Sequence, residues 1–309
     1  MKSRIIPFVS AVLLFSSTSI ALGQLNVFAC VPEWAALAEA VGGERLDVKL
    51  ATSSFDNPET LAPDVGMTST LQSSDMIVCT GAELESSWLS AAVERAGNPK
   101  LAANQPGRFF ASEFVKLLVD SAETKAHTHG PGAEHGILHS QGNPHLHGDP
   151  RSVQRVAAQF AKRLIAIDPD GKDFYTDRVK SFIGDLTAKM AELKAKAMPL
   201  QGVRVVVQHE NAIYLLSWLG IETAATIEPA PGARANAARV ANIIESVSRE
   251  QIKFVVIAAY EDQTDAARVA EEAGIPLVKL PYTIGGTEAA TDFFTFYEDA
   301  VDRLLDGLN

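Results

Sequence analysis

Leu25-Asn-Val-Phe-Ala29, Glu33 to Val41, Gly42-Gly43 and Leu46-Asp-Val-Lys-Leu50 together form the stretch that decides the fold class. The first five residues are an apolar run of strand length. Glu33 to Val41 reads as a helix that the glycine pair stops, and Leu46 to Leu50 as a second strand. The alternation continues beyond it: Met67 to Ser73 predicts a helix, Asp75 to Thr80 a strand and Glu83 to Ala96 a helix. Strands alternating with helices imply βαβ units in an α/β protein with a mostly parallel sheet, whose ligands gather at the carboxyl ends of the strands.

A second set of alternations fills the other end of the chain. Val203 to Gln208, Phe254 to Ala259 and Pro276 to Leu280 read as strands, and Asn211 to Leu219, Asp265 to Ala273 and Glu288 to Leu305 as helices. Between the two sets, a helix is expected from Pro150 to Ile167, followed by the turn Asp168-Pro-Asp-Gly171. Lys172 to Lys196 then has no proline and one glycine, Gly184. Phe182, Leu186, Met190, Leu193 and Ala197 fall on one helical face. At 1.5 Å per residue this helix is roughly 37 Å long, enough to join two lobes.

The chemistry-bearing residues are concentrated. Six of the seven histidines lie between positions 127 and 147: His127, His129, His135, His139, His145 and His147. Neutral imidazole suits zinc, copper, nickel and iron, and a His/Gly tract offers it without a fixed fold. The tract His127 to His139 has little apolar surface to bury and reads as an auxiliary, weaker metal collector. His147 is counted with this collecting loop; it points away from His145 if the segment is extended and toward it if the segment is turned. The seventh histidine, His209, stands at the end of the strand Val203 to Gln208. A lone strand-end histidine is more often structural, but its pairing with a histidine-rich loop shifts that balance.

The formal net charge of −11 excludes nucleic acid and anionic membrane surfaces as main partners, because both are polyanions. Lys2 and Arg4, the apolar run Ile5 to Phe15, and Ala21-Leu22-Gly23 read as a secretory signal cleaved near Gly23, so an exported, soluble protein is expected. No cysteine directly follows Gly23 to carry a lipid. The two cysteines, Cys30 and Cys79, each end an apolar strand-like run. They form a disulfide if those strands are neighbours, and buried free thiols are the equal alternative.

Four segments carry a resemblance to a known family. Asn143-Pro-His145-Leu-His-Gly-Asp149-Pro150, Val205-Val-Val-Gln-His209 with Tyr214, Leu71 to Glu85, and Glu228-Pro-Ala-Pro-Gly232 resemble motifs of the zinc/manganese class of solute-binding proteins of bacterial ABC importers. The likeness covers nearly the whole chain after the signal. It implies two lobes, each with a mostly parallel four-stranded sheet flanked by helices, joined by one rigid helix. The corresponding division is 1–23 signal, 24–170 first lobe with the loop 127–147, 171–198 linking helix and 199–309 second lobe.

The resemblance also implies an interlobe metal site built from Glu59, His145 and His209. Glu59 is placed by counting back from Leu71, at a position where the family usually has histidine; Asp56 is the next candidate. The family often takes a fourth carboxylate from a loop that reads Leu280-Pro-Tyr-Thr-Ile-Gly-Gly286 here and has none, so Glu261 or a water is expected instead. The implied partners are a membrane permease and its ATPase, the implied location the periplasm, and the implied state a monomer. Zinc is the expected cargo and manganese, or iron, the alternative. Glu59 makes the site harder, whereas the histidine tract and the divalent affinity order favour zinc. Two other readings stand beside transport. One is a periplasmic metal buffer or chaperone. The other is a zinc hydrolase with Glu210 as base, against which stands the absence of an HExxH helix.

Overall fold

The computed structural model describes residues 23–119, 139–229 and 233–309. The signal segment before Gly23, together with His127, His129 and His135, lies outside the described residues.

The first half contains β1 (Leu25–Ala29), α1 (Pro32–Gly42), β2 (Leu46–Leu50), α2 (Val65–Ser73), β3 (Met76–Cys79), α3 (Leu89–Ala96) and β4 (Arg108–Phe110). Two helices follow, α4 (Pro150–Ile167) and α5 (Lys172–Lys196). The second half contains β5 (Arg204–Val207), α6 (Ile213–Leu219), β6 (Glu222–Thr226), α7 (Ala237–Arg249), β7 (Ile252–Ala258), α8 (Thr264–Ala273), β8 (Leu277–Leu280) and α9 (Phe293–Asp306). The sheets have the orders β2-β1-β3-β4 and β6-β5-β7-β8, and every pairing is parallel. In both halves the first strand is internal and the chain reverses direction beside it, the place where open α/β sheets leave a crevice for ligands.

Two expected helices start later than the sequence suggests. Glu83 to Trp88 forms turns rather than the first turns of α3, with Ala82 and Glu83 at φ values of 47° and 69°. The Glu85 carboxylate folds back to accept hydrogen bonds from the Thr80 and Gly81 amides, which holds this turn off the helical path. The closing helix starts at Phe293, where Asp292 and Thr295 form a reciprocal capping box.

The helix α5 packs on α1 and α4 of one half and on α9 of the other. Phe182, Leu186, Leu193 and Ala197 are buried along it, Met190 is partly buried against the same core, and Phe182 meets Phe293 and Phe294 edge-on. One apolar cluster runs from Val27 in β1 to Leu304 in α9, so the halves share a core. Hydrogen bonds also join them directly: Thr283 donates to Glu33 in α1 and Ser54 donates to the Ile284 carbonyl.

Cys30 follows β1 and Cys79 ends β3, and these strands are neighbours. The two residues form a disulfide, with their Cα atoms 4.9 Å apart. Of the two alternatives left open by the sequence, the bond is the one observed. It closes a loop across 49 positions, and chain-entropy arguments assign such a crosslink about 4 kcal/mol. Urea unfolding of the double variant Cys30→Ala/Cys79→Ala should show a loss of that order; a loss below about 1 kcal/mol contradicts it.

Candidate metal centre

The side chains of Glu59, His145 and His209 are each set by local chemistry in their own loop. Glu59 lies between β2 and α2, where Asn57 accepts a hydrogen bond from the Glu59 amide and buried Trp88 donates to the Pro58 carbonyl. These two bonds turn the loop inward and bury the Glu59 carboxylate. Asp56 is occupied in the same loop, accepting from the Ser53 amide.

His145 precedes α4. Asn143 accepts from the His145 amide and donates to the Glu210 carbonyl, while the Tyr214 hydroxyl donates to the Asn143 carbonyl. Gly148 passes so close to α6 that a Cβ there would lie 3.0 Å from the Leu215 amide nitrogen. Asp149 caps α4 and Pro150 occupies its first turn. The Asn-Pro-His…Asp-Pro segment is therefore a clamp that ties the start of α4 to the loop after β5. His209 emerges from the end of that strand.

The structure brings Glu59, His145 and His209 together, with one ligand atom of each lying within 4.8 Å of the others. From Glu59 Oε1, Nε2 of His145 is 3.6 Å away and Nε2 of His209 is 3.9 Å away. A tetrahedral zinc shell with bonds of about 2.0–2.1 Å has donor–donor separations of roughly 3.3–3.4 Å. The two carboxylate–imidazole separations, 3.6 and 3.9 Å, stand a few tenths of an ångström outside that spacing. Their other ring nitrogens are already engaged: His145 Nδ1 pairs with the Tyr282 hydroxyl at 3.1 Å and His209 Nδ1 with Glu228 at 3.0 Å. Such outer partners fix the ring and leave Nε2 for a metal. The buried Nε2 of His145 has no hydrogen-bond partner.

The remaining predicted residues are placed differently. Glu261 is not part of this cluster; its carboxylate accepts from the Ala258 amide and lines a cavity of about 290 Å³ together with Glu59, His209, Glu228 and Asp262. Carboxylates dominate the wall of that cavity, which also includes Arg234 and Tyr260. His147 lies in a turned segment and its ring packs on Tyr282, as that of His145 does, but its nitrogens go to other partners. Its Nε2–H donates to the Tyr282 carbonyl, and Nδ1 stands 3.1 Å from Glu33 Oε1. It is buried structure rather than part of a collecting loop. His139 likewise departs from the expected auxiliary tract: it is buried, with Nε2 3.5 Å from Glu59 Oε1. Glu228 and Tyr282, which orient the rings, carry no signal in the sequence that assigns them this part. A second grouping among the described residues, Cys30, Cys79 and Glu85, is spent on the disulfide and on backbone amides.

Burial, reinforced by His209, His139 and His147, holds His145 well below the usual imidazole pKa, so it presents a lone pair at neutral pH. Burial works against charge on His209 too. There the hydrogen bond to Glu228 and the charges of Glu59, Glu228 and Glu261 outweigh it and push the pKa up to about 9. Burial raises Glu261 to about 7 against the pull of His209.

A metal must displace the His209 proton. Affinity should therefore rise with pH, about tenfold per unit, and level off above about 9. Calorimetry near neutral pH in buffers of different ionisation enthalpy should show about one proton released per metal bound; binding without proton release contradicts the assignment.

Residues 27–307 match the family model described as the zinc-uptake complex component A, periplasmic, ZnuA. The chain belongs to this family. As a ZnuA-family member it is a metal-binding, substrate-binding component of an ABC importer. It is 22% identical over 308 residues to the manganese ABC transporter substrate-binding lipoprotein scaA of Streptococcus gordonii, covering 95% of this chain and 92% of the relative. Over a shorter 108 residues it is 30% identical to the high-affinity zinc uptake system protein ZnuA of Paracoccus denitrificans, covering 35% of this chain and 33% of that one. A crystal structure of ZnuA has the same fold, with a TM-score of 0.75 at 19% identity over 93% of this chain and 100% of that chain. The relatives are named for both zinc and manganese, so the choice of metal rests on the donors of this ZnuA-family site.

Proposed function

We propose that this protein captures a single zinc ion between Glu59, His145 and His209, outside the cytoplasmic membrane, and hands it as a monomer to a membrane permease driven by an ATPase. The carrying observation is the convergence of three donors from three loops, one in the first half, one before α4 and one in the second half, on a separation close to that of a zinc shell. In this reading 24–170 and 199–309 are the two lobes and 171–198 joins them. Because the donors are shared between the lobes, a small displacement of one lobe by the transporter opens the shell and releases the ion.

Zinc is favoured over manganese because imidazole donors suit it and because intrinsic affinity at nitrogen/oxygen sites follows that order. The hydrolase alternative draws no support from Glu210, whose carboxylate accepts a hydrogen bond from Thr226 instead of joining the cluster. The test is metal analysis of the chelator-stripped and reloaded protein, followed by zinc–manganese competition. One tightly held zinc per chain with manganese displaced supports the reading, and preferential retention of manganese overturns the choice of metal.

A further inference from the structure

We infer that His139 is the fourth metal donor and supplies the nitrogen that the family's first ligand position, held here by Glu59, does not. This rests on the metal site proposed above and extends it. His139 is 1% exposed, and neither of its ring nitrogens has a hydrogen-bond partner. A buried imidazole without partners is destabilising unless something occupies its lone pair.

Its Nε2 lies 3.5 Å from Glu59 Oε1, as close as the 3.6 Å of His145 and closer than the 3.9 Å of His209. All three nitrogens thus surround the same carboxylate oxygen. The His139 and His145 ring centroids are 6.3 Å apart, against 5.5 Å for His145 and His209, so His139 sits on the outer side of the shell. The terminal ring torsion of histidine is broad, and turning it inward is cheap.

The backbone that presents His139 is held on its own terms. Ser140 donates from its amide and its hydroxyl to the two Glu83 oxygens. The Gly142 amide donates to the His139 carbonyl, and the Asn143 amide to the Leu118 carbonyl. Gly142 has φ 109°, and a Cβ there would lie 2.8 Å from the Leu118 carbonyl oxygen, so this turn requires glycine. His139 is therefore anchored to the first half by contacts that involve no other histidine of the tract.

The resulting set of three imidazoles and one carboxylate is a four-coordinate nitrogen-rich shell, which selects zinc against the oxygen-preferring manganese.

Two measurements test this. In the wild-type protein loaded with one zinc, X-ray absorption should count three imidazoles; a count of two overturns the inference. The second compares wild type, His139→Ala and a variant with His127, His129 and His135 all replaced by alanine. For His139→Ala, zinc affinity should fall ~100-fold, at or beyond the upper end of what loss of an outer-shell partner brings. The visible bands of its cobalt-loaded form should shift in position and intensity as a water oxygen replaces the imidazole nitrogen. The triple variant should keep both. Wild-type affinity and cobalt bands in His139→Ala overturn the role of His139. If His145→Ala also retained wild-type affinity, the underlying site would be wrong instead.

Discussion

His145→Ala and His209→Ala should each lower zinc affinity by about 100–1000-fold. Zinc held by four protein ligands is worth about 10–16 kcal/mol, so one ligand carries roughly 2.5–4 kcal/mol, and about 1.4 kcal/mol is a factor of ten. The loss should be steeper for His145. Its Nε2 is fully buried and its Nδ1 is held by Tyr282, away from the solvent that could supply a substitute ligand. His209 borders the acidic cavity, where water can fill the vacated position. Competition titration against a chelator of known affinity decides this, and wild-type affinity in either variant removes that residue from the site.

The second large effect concerns Glu59, the oxygen around which the imidazoles gather. Glu59→Ala should weaken zinc by about 100-fold or more, since it removes a donor and, among the described residues, the only carboxylate in the cluster. Glu59→His should instead retain or strengthen zinc while weakening manganese further, because manganese prefers carboxylate and carbonyl oxygen. Glu59→Ala should also lower the His209 pKa from about 9, as Glu59 is one of the charges that raise it. Paired zinc and manganese titrations on the two variants check all three statements. Unchanged affinities in Glu59→Ala would move the assignment to another residue of the loop.

Much of the fold is legible in the sequence, for reasons that differ by element. The strands β1 and β2 and the helices α4 and α5 have the bounds that their apolar runs, the Asp149-Pro150 start and the Asp168–Gly171 turn indicate. Two of the edge strands, β4 and β6, are not legible. β4 is three residues long and β6 reads Glu-Thr-Ala-Ala-Thr; each has a single strand neighbour and carries no continuous apolar run. The helix α7 buries Val240, Ile243 and Val247 at helical spacing, a pattern available in the sequence but absent from the expected elements.

The site divides in a similar way. His209 announces itself by standing alone at a strand end, and His145 by its Asn-Pro-His context. Glu59 has no local motif and is found only by register from Leu71. His139 is hidden by its neighbours: in a row of histidines, nothing local tells which imidazole will meet a carboxylate 80 positions away. Tyr282 is invisible for the same reason, because its contact with His145 spans 137 positions and depends on the loop after β8 folding onto the other half. Long-range polar contacts of this kind leave no periodic signal, whereas buried faces do.

The most direct test of the central claim, one zinc ion held between the two halves, is a crystal structure of the zinc-loaded protein with anomalous scattering measured at the zinc edge. A single strong peak about 2.0–2.2 Å from Glu59 Oε1 and from Nε2 of both His145 and His209 is the predicted result. A strong peak elsewhere, with none between these three side chains, would contradict it.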